Sequence, residues 1–174
     1  LYPFDAYKDV EKLLKNGERV LFIGLPCQVA AIKNYVPKNL QEELYCIDLI
    51  CHGTPSVKLL KMFLKQHGVD IASVEDIQFR TDGKTGFSIK TVATAGTVDR
   101  YLISFLNALN ITESCYNCKY ACKARVSDIT LGDNWGTELV GELQKGLSLI
   151  LCITEKGLKL IKDADVKLED VNNS

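Results

Sequence analysis

Two apolar runs set the frame of this chain, Arg19–Leu25 (RVLFIGL) and Leu44–Ile50 (LYCIDLI). Both are continuous rather than alternating, the pattern of strands covered on both faces of a parallel sheet. A helix precedes the first, since Asp5–Lys15 carries apolar residues at helical spacing and stops at Asn16-Gly17. Pro26 follows the first run as a good first helical residue, and Gln28–Tyr35 reads as helix. The second run gives way to a turn at Cys51–Pro55, after which Ser56 is placed to cap a helix through about Gln66.

The middle of the chain changes period. Val74–Arg80, Phe87–Ala93 and Thr97–Arg100 alternate, with Asp82-Gly83 and Ala95-Gly96 as turns, which predicts an antiparallel meander. Tyr101–Leu109 reads as a short amphipathic helix, and Asp128–Gly132 and Leu147–Ile153 as strands. Thr154 caps a helix over Glu155–Asp163, and Val166–Val171 reads as a last edge strand. There is no internal repeat, linker or low-complexity segment. The expected fold class is therefore α/β, a mainly parallel strand–helix core with an inserted antiparallel β meander, in a single domain over residues 1–174.

Composition narrows the class. At 174 residues, 47% hydrophobic and 25% charged, the chain can bury a globular core. A net charge of −1 lacks the basic excess of a nucleic-acid footprint. The longest apolar run, Leu147–Ile153, is strand-length, far below the roughly 18 residues of a membrane span. Leu1 brings no initiator Met, basic leader or cleavage site, so it is read as a cut from a longer protein rather than a signal peptide. Seven cysteines, an odd number, fit ligands or nucleophiles in a reducing cytoplasm better than a disulfide scaffold. Cys46 and Cys152 lie inside apolar strands and read as small buried hydrophobes.

The chemistry gathers in Ser114–Gly136, SCYNCKYACKARVSDITLGDNWG. Cys115, Cys118 and Cys122 are spaced so that their sulfurs can converge on one metal or cluster. Cys27 (GLPCQ) and Cys51 (ICHG) each follow a strand, at the edge where open α/β sheets place ligands. One close cluster and two singletons are poor spacing for a zinc ribbon, whereas an iron–sulfur cluster accepts thiolates from scattered loops. Five candidates for four places leave one spare among the close three. A structural zinc interaction domain stays open, as does a thiol enzyme using Cys27 as a nucleophile at a helix N-terminus. In Gly132-Asp133-Asn134-Trp135-Gly136, glycines flanking an acid and an indole suit a flat ligand, Trp135 by stacking and Asp133 by hydrogen bonding. A core Trp and a satisfied turn are the plainer readings. His52 is an acid, base or ligand candidate, or the partner of a turn carbonyl. Arg80, Lys84 and Arg125 are candidates for cofactor phosphates, against the alternative of a solvated face, as is Lys123. There is no GxGxxG, Walker loop or GxSxG.

Four blocks in one order, GLPCQVAAIK, IDLICHGTPS, SCYNCKYACKARVSDITLGDNWG and LSLILCITEKG, resemble the C-terminal domain of coenzyme F420 hydrogenase/dehydrogenase beta subunits. The resemblance covers essentially the whole chain. It implies an FAD and a [4Fe–4S] cluster, a ferredoxin-like domain or subunit in the same electron chain, and a small-molecule redox carrier such as coenzyme F420. It implies Cys27, Cys51, Cys115 and Cys118 as cluster ligands and Cys122 as the spare thiol. The family's usual GDFWG stands here as GDNWG, with Asn134 for the aromatic, and the arginine commonly found shortly before the CxxC is absent.

Overall fold

The computed structural model describes residues 3–74, 77–81, 84–89, 92–93, 100–133 and 147–168. The chain divides into two compact units, Leu1–Cys51 with Tyr120–Ser174, and His52–Lys119.

The first unit is a four-stranded sheet with helices. Its strands are β1 (Val20–Gly24), β2 (Leu44–Leu49), β6 (Ile129–Asp133) and β7 (Ser148–Cys152), in the order β1-β2-β6-β7. β1, β2 and β6 run parallel and β7 is antiparallel to β6. Helix α1 (Pro3–Lys15) buries Tyr7, Val10 and Leu14, one stripe at helical spacing. Gly17 ends it at φ +81°, with Glu18 N–H donating to Leu13 O and Gly17 N–H to Leu14 O, the paired bonds of a Schellman stop. Helix α2 (Pro26–Tyr35) adds Val29 and Ile32, which meet Leu44 and Cys46 of β2 in a fully buried core. Each such aliphatic side chain contributes about 1.5–3 kcal/mol by leaving water.

The far end of this sheet is closed by α6 (Glu155–Asp163). Thr154 Oγ1 accepts the Gly157 N–H at 3.1 Å and donates to Asp128 Oδ1 at 2.9 Å. A Cβ on Gly157 would lie 2.2 Å from the Asp128 carbonyl oxygen, so only glycine lets the helix sit there. Lys156 reaches the Leu44 carbonyl at 2.6 Å and lies over the Tyr45 ring at 4.9 Å. Buried Asp128 takes the Cys46 N–H at 2.8 Å, tying β2 to β6 just below their pairing.

The second unit holds α3 (Val57–Gln66), a three-stranded antiparallel sheet of β3 (Ile77–Thr81), β4 (Lys84–Ile89) and β5 (Val92–Ala93), α4 (Arg100–Leu106) and the one-turn α5 (Glu113–Tyr116). Leu64 and Val69 are buried here against Leu60, Phe63, Ile71 and Val74. Helix α3 ends as α1 does, with Gly68 at φ +73°. In chain order this unit is inserted between β2 and β6.

The α/β class and the antiparallel insertion are as expected. Four details differ. The third meander strand is Val92–Ala93, and Arg100 belongs to α4, while 97–99 and both predicted turns lie outside the described residues. Residues 165–168 have no regular structure, so the start of the expected Val166–Val171 strand is not one; 169–171 lie outside the described residues. Helix α4 stops at Leu106 rather than Leu109, because Ala108 turns into the left-handed region at φ +56°. Cys152 is exposed: it ends an edge strand, where apolar neighbours in sequence do not guarantee a covering layer.

Candidate functional site

Within the first unit, three strand exits share one sheet edge. β1 leads to Cys27, β2 to Cys51, and β6 ends at Gly132-Asp133. Parallel pairing in register, Gly24 beside Asp48 and Leu49 beside Leu131, places these exits together.

The turn carrying Cys27 is built by its neighbours. Gln28 Oε1 accepts the Leu25 N–H at 2.8 Å, and a Cβ on Gly24 would approach that same oxygen to 3.0 Å. Pro26 has no N–H to satisfy, so the first turn of α2 leaves Cys27 exposed at its second position. Tyr7 donates to the Gln28 carbonyl at 3.3 Å. Its phenol is held above the ordinary range, by burial first and by the charge of Cys27 second.

Arg125 is not a solvated cation waiting for a phosphate. Its guanidinium is buried, pairing with the fully buried Asp48 at 3.0 Å. It also donates to Thr130 Oγ1 at 3.1 Å, Leu49 O at 3.1 Å and Tyr120 O at 3.3 Å. One fork thus ties the exit of β2, two residues before Cys51, to the chain entering from the cysteine-rich loop. The physical reason is Asp48: a carboxylate inside an apolar strand needs a partner, and Arg125 supplies it. Gly132 likewise has an internal explanation. A Cβ there would lie 2.6 Å from Ile50 Cδ1, so the glycine makes room for the residue preceding Cys51. Asp133 closes β6 opposite Ser148 and is exposed. Asn134, Trp135 and Gly136 lie outside the described residues. Arg80 and Lys84 are placed as strand positions, beside Thr85 and Thr81.

Within the second unit, the segment beginning one residue after Cys51 is pinned to the approach of the CxxC. Ser56 N–H donates to Asn110 O at 3.1 Å and Thr112 N–H to Thr54 O at 2.8 Å, with Pro55 bridged antiparallel to Ile111. Gly53 permits this, at φ +130° and with Ile111 Cγ2 only 2.9 Å from where a Cβ would be. His52 Nε2 lies 2.9 Å from the Phe105 carbonyl, so that nitrogen carries the proton and donates; Nδ1 is the ring atom left for chemistry.

Cys115 has the most defined environment of the thiols. The Thr54 N–H donates to its Sγ at 3.4 Å, and Thr112 Oγ1 lies 3.2 Å away. The Thr112 hydroxyl first, then the Thr54 backbone, hold this thiol below its ordinary range. Such donors favour thiolate, which is the form a metal takes, so the donor set fits ligation at this position. Cys118 follows one turn later, its N–H on the Cys115 carbonyl at 3.3 Å. Cys122 donates to the Ala124 carbonyl at 3.4 Å, behaving as a thiol. Cys46 is fully buried, its thiol pushed up to about 11 chiefly by burial. All seven cysteines are described and none is in a disulfide. Among the described residues, no three His, Cys, Asp or Glu side chains converge as a metal site, and no helix is long and apolar enough to cross a membrane.

Sequence reasoning missed Asp48, Asp128, Thr54 and Thr112. The two acids had a signal: each interrupts or opens an apolar strand, where an unpaired carboxylate would be costly. The threonines had none, because their role depends on pairing between segments far apart in the chain.

The family model for the C terminus of the coenzyme F420 hydrogenase/dehydrogenase beta chain matches residues 17–172. No individual curated protein matches the chain.

Proposed function

The chain belongs to the coenzyme F420 hydrogenase/dehydrogenase beta-subunit family, and on that ground we propose that it is a flavin and iron–sulfur oxidoreductase module. It passes electrons between a two-electron carrier, F420-like or another, and a [4Fe–4S] relay. Family membership already makes it part of a redox enzyme that works as an assembly of several subunits. The finer reading assigns Cys27, Cys51, Cys115 and Cys118 as cluster ligands. A bound flavin and cluster supply the exchange between two-electron and one-electron carriers. The protein's part is to hold thiolates, exclude water and tune potentials by hydrogen bonding.

The observation that carries the reading is the pair of donors on Cys115 Sγ, which suits a ligating thiolate and has no use for a buried inert thiol. For the flavin, Asp133, Asn134, Trp135, Gly136, Arg80 and Lys84 are the candidate contacts. Arg125 and Gly132 are engaged by Asp48 and Ile50, so they support the site from within. His52 stays a candidate for proton transfer through Nδ1. A ferredoxin-like domain or subunit is the proposed electron partner, and the cytoplasm the proposed compartment.

The test is anaerobic purification of the full-length protein. The expected result is a brown protein with about four iron per chain, with iron lost in Cys115→Ala and Cys27→Ala. A colourless protein holding about one zinc would establish a structural zinc domain instead. Loss of activity on alkylation of Cys27 alone, with no iron present, would establish a thiol enzyme.

A further inference from the structure

We propose that Thr112 is a positioning residue for the ligand Cys115, donating to its Sγ and raising the reduction potential of the cluster held there. The inference rests on the iron–sulfur reading above and concerns how that site is tuned.

The hydroxyl is free for this task and aimed at it. Thr112 occupies the N-cap position of α5, where a threonine oxygen ordinarily accepts a helix N–H, yet it makes no such bond. Its backbone is committed on both sides, the N–H to Thr54 O and the carbonyl to Cys115 N–H, each at 2.8 Å. With φ −69° and ψ 152°, the extended backbone leaves the hydroxyl 3.2 Å from Sγ. A metal-bound sulfur has no proton to give, so Thr112 must be the donor. Ser114 Oγ, 3.4 Å from Thr112 Oγ1, can donate to that oxygen and strengthen the chain. The Thr54 N–H adds a second donor, held by the Gly53–Pro55 pairing. The couple is a one-electron exchange that adds one negative charge to the site and transfers no proton. Donors aimed at sulfur stabilise the more negative, reduced state.

The experiment compares wild type, Thr112→Val and Thr112→Ser in the full-length protein, each loaded anaerobically to equal iron, by redox titration followed by electron paramagnetic resonance. Thr112→Val should move the midpoint to more negative potential by about 59 mV, a tenfold fall in the one-electron reduction constant. Thr112→Ser, which keeps the hydroxyl, should titrate with wild type. An unshifted Thr112→Val midpoint, or an equal shift in Thr112→Ser, would overturn the inference while leaving the cluster intact. Should Thr112→Val fail to hold iron, Thr112→Ala is titrated in its place with the same expectation. A wild type without iron would instead sink the reading of the site itself, and this inference with it.

Discussion

Replacing Arg125 by methionine should cost about 3–5 kcal/mol of stability, the range for breaking a buried ion pair from one side. At the observed 3.0 Å, attraction between Arg125 and Asp48 is about 5–6 kcal/mol at an effective dielectric of about 20. Part of that offsets the cost of burying both charges. Methionine removes the attraction and leaves the burial of Asp48, which is fully enclosed. The carboxylate would keep only the Thr130 hydroxyl, and its Oδ2 already has no partner. Urea unfolding followed by circular dichroism reads the effect. With a slope of about 2 kcal/mol per molar, the midpoint should fall by about 1.5–2.5 M. The double variant Asp48→Asn/Arg125→Met should be more stable than the two single losses predict, because no charge is left buried. A loss under about 1 kcal/mol would place the pair in the class of exposed bridges and refute the reasoning. Simple additivity in the double variant would do the same.

Two further outcomes follow from close contacts in the first unit. Gly157→Ala puts a methyl 2.2 Å from the Asp128 carbonyl oxygen, backbone that cannot swing aside. It should destabilise by about 1–3 kcal/mol or more, lowering the melting temperature by several degrees; a melting curve that overlays wild type would show that α6 shifts without cost. Cys46 gives a pH dependence. Its folded thiol ionises at about 11, against about 8.5 in an unfolded chain. The unfolded state therefore loses its proton first as pH rises, and stability should fall between about pH 9 and 11 by about 2–3 kcal/mol. Cys46→Ala should remove that part of the slope; an unchanged slope in the variant would assign it to other groups.

The parallel core was legible because continuous apolar strands and glycine stops act locally. Arg19–Leu25 and Leu44–Ile50 could be buried on both faces only in a covered parallel sheet, and β1, β2 and β6 are so arranged. Asn16-Gly17 ended α1 because the left-handed position that closes a Schellman stop favours glycine. The meander's third strand was not legible. Alternation over the four residues Thr97–Arg100 is too short to tell from the start of a helix, and Arg100 went to α4. Exposure at Cys152 depended on what covers β7, which no local pattern encodes.

The candidate site divides along the same line. Gly132 and Arg125 drew attention because glycine and arginine are what ligand sites use, yet Ile50 and Asp48 account for both. Their effect on the cysteine-bearing exits is real but indirect: Arg125 grips Leu49 and Tyr120, and Gly132 seats Ile50, each one or two residues from a cysteine or the loop that carries it. Thr54 and Thr112 went unnoticed because a threonine beside a cysteine is unremarked in sequence. Only the pairing of 54–56 with 110–112 brings an N–H and a hydroxyl onto one sulfur. The motif CHGTP is thus legible as a cysteine turn, but its glycine and threonine serve a different cysteine, Cys115, some sixty positions away. That long-range use explains why the turn needs Gly53 at φ +130°, where a side chain would be strained and would press on Ile111.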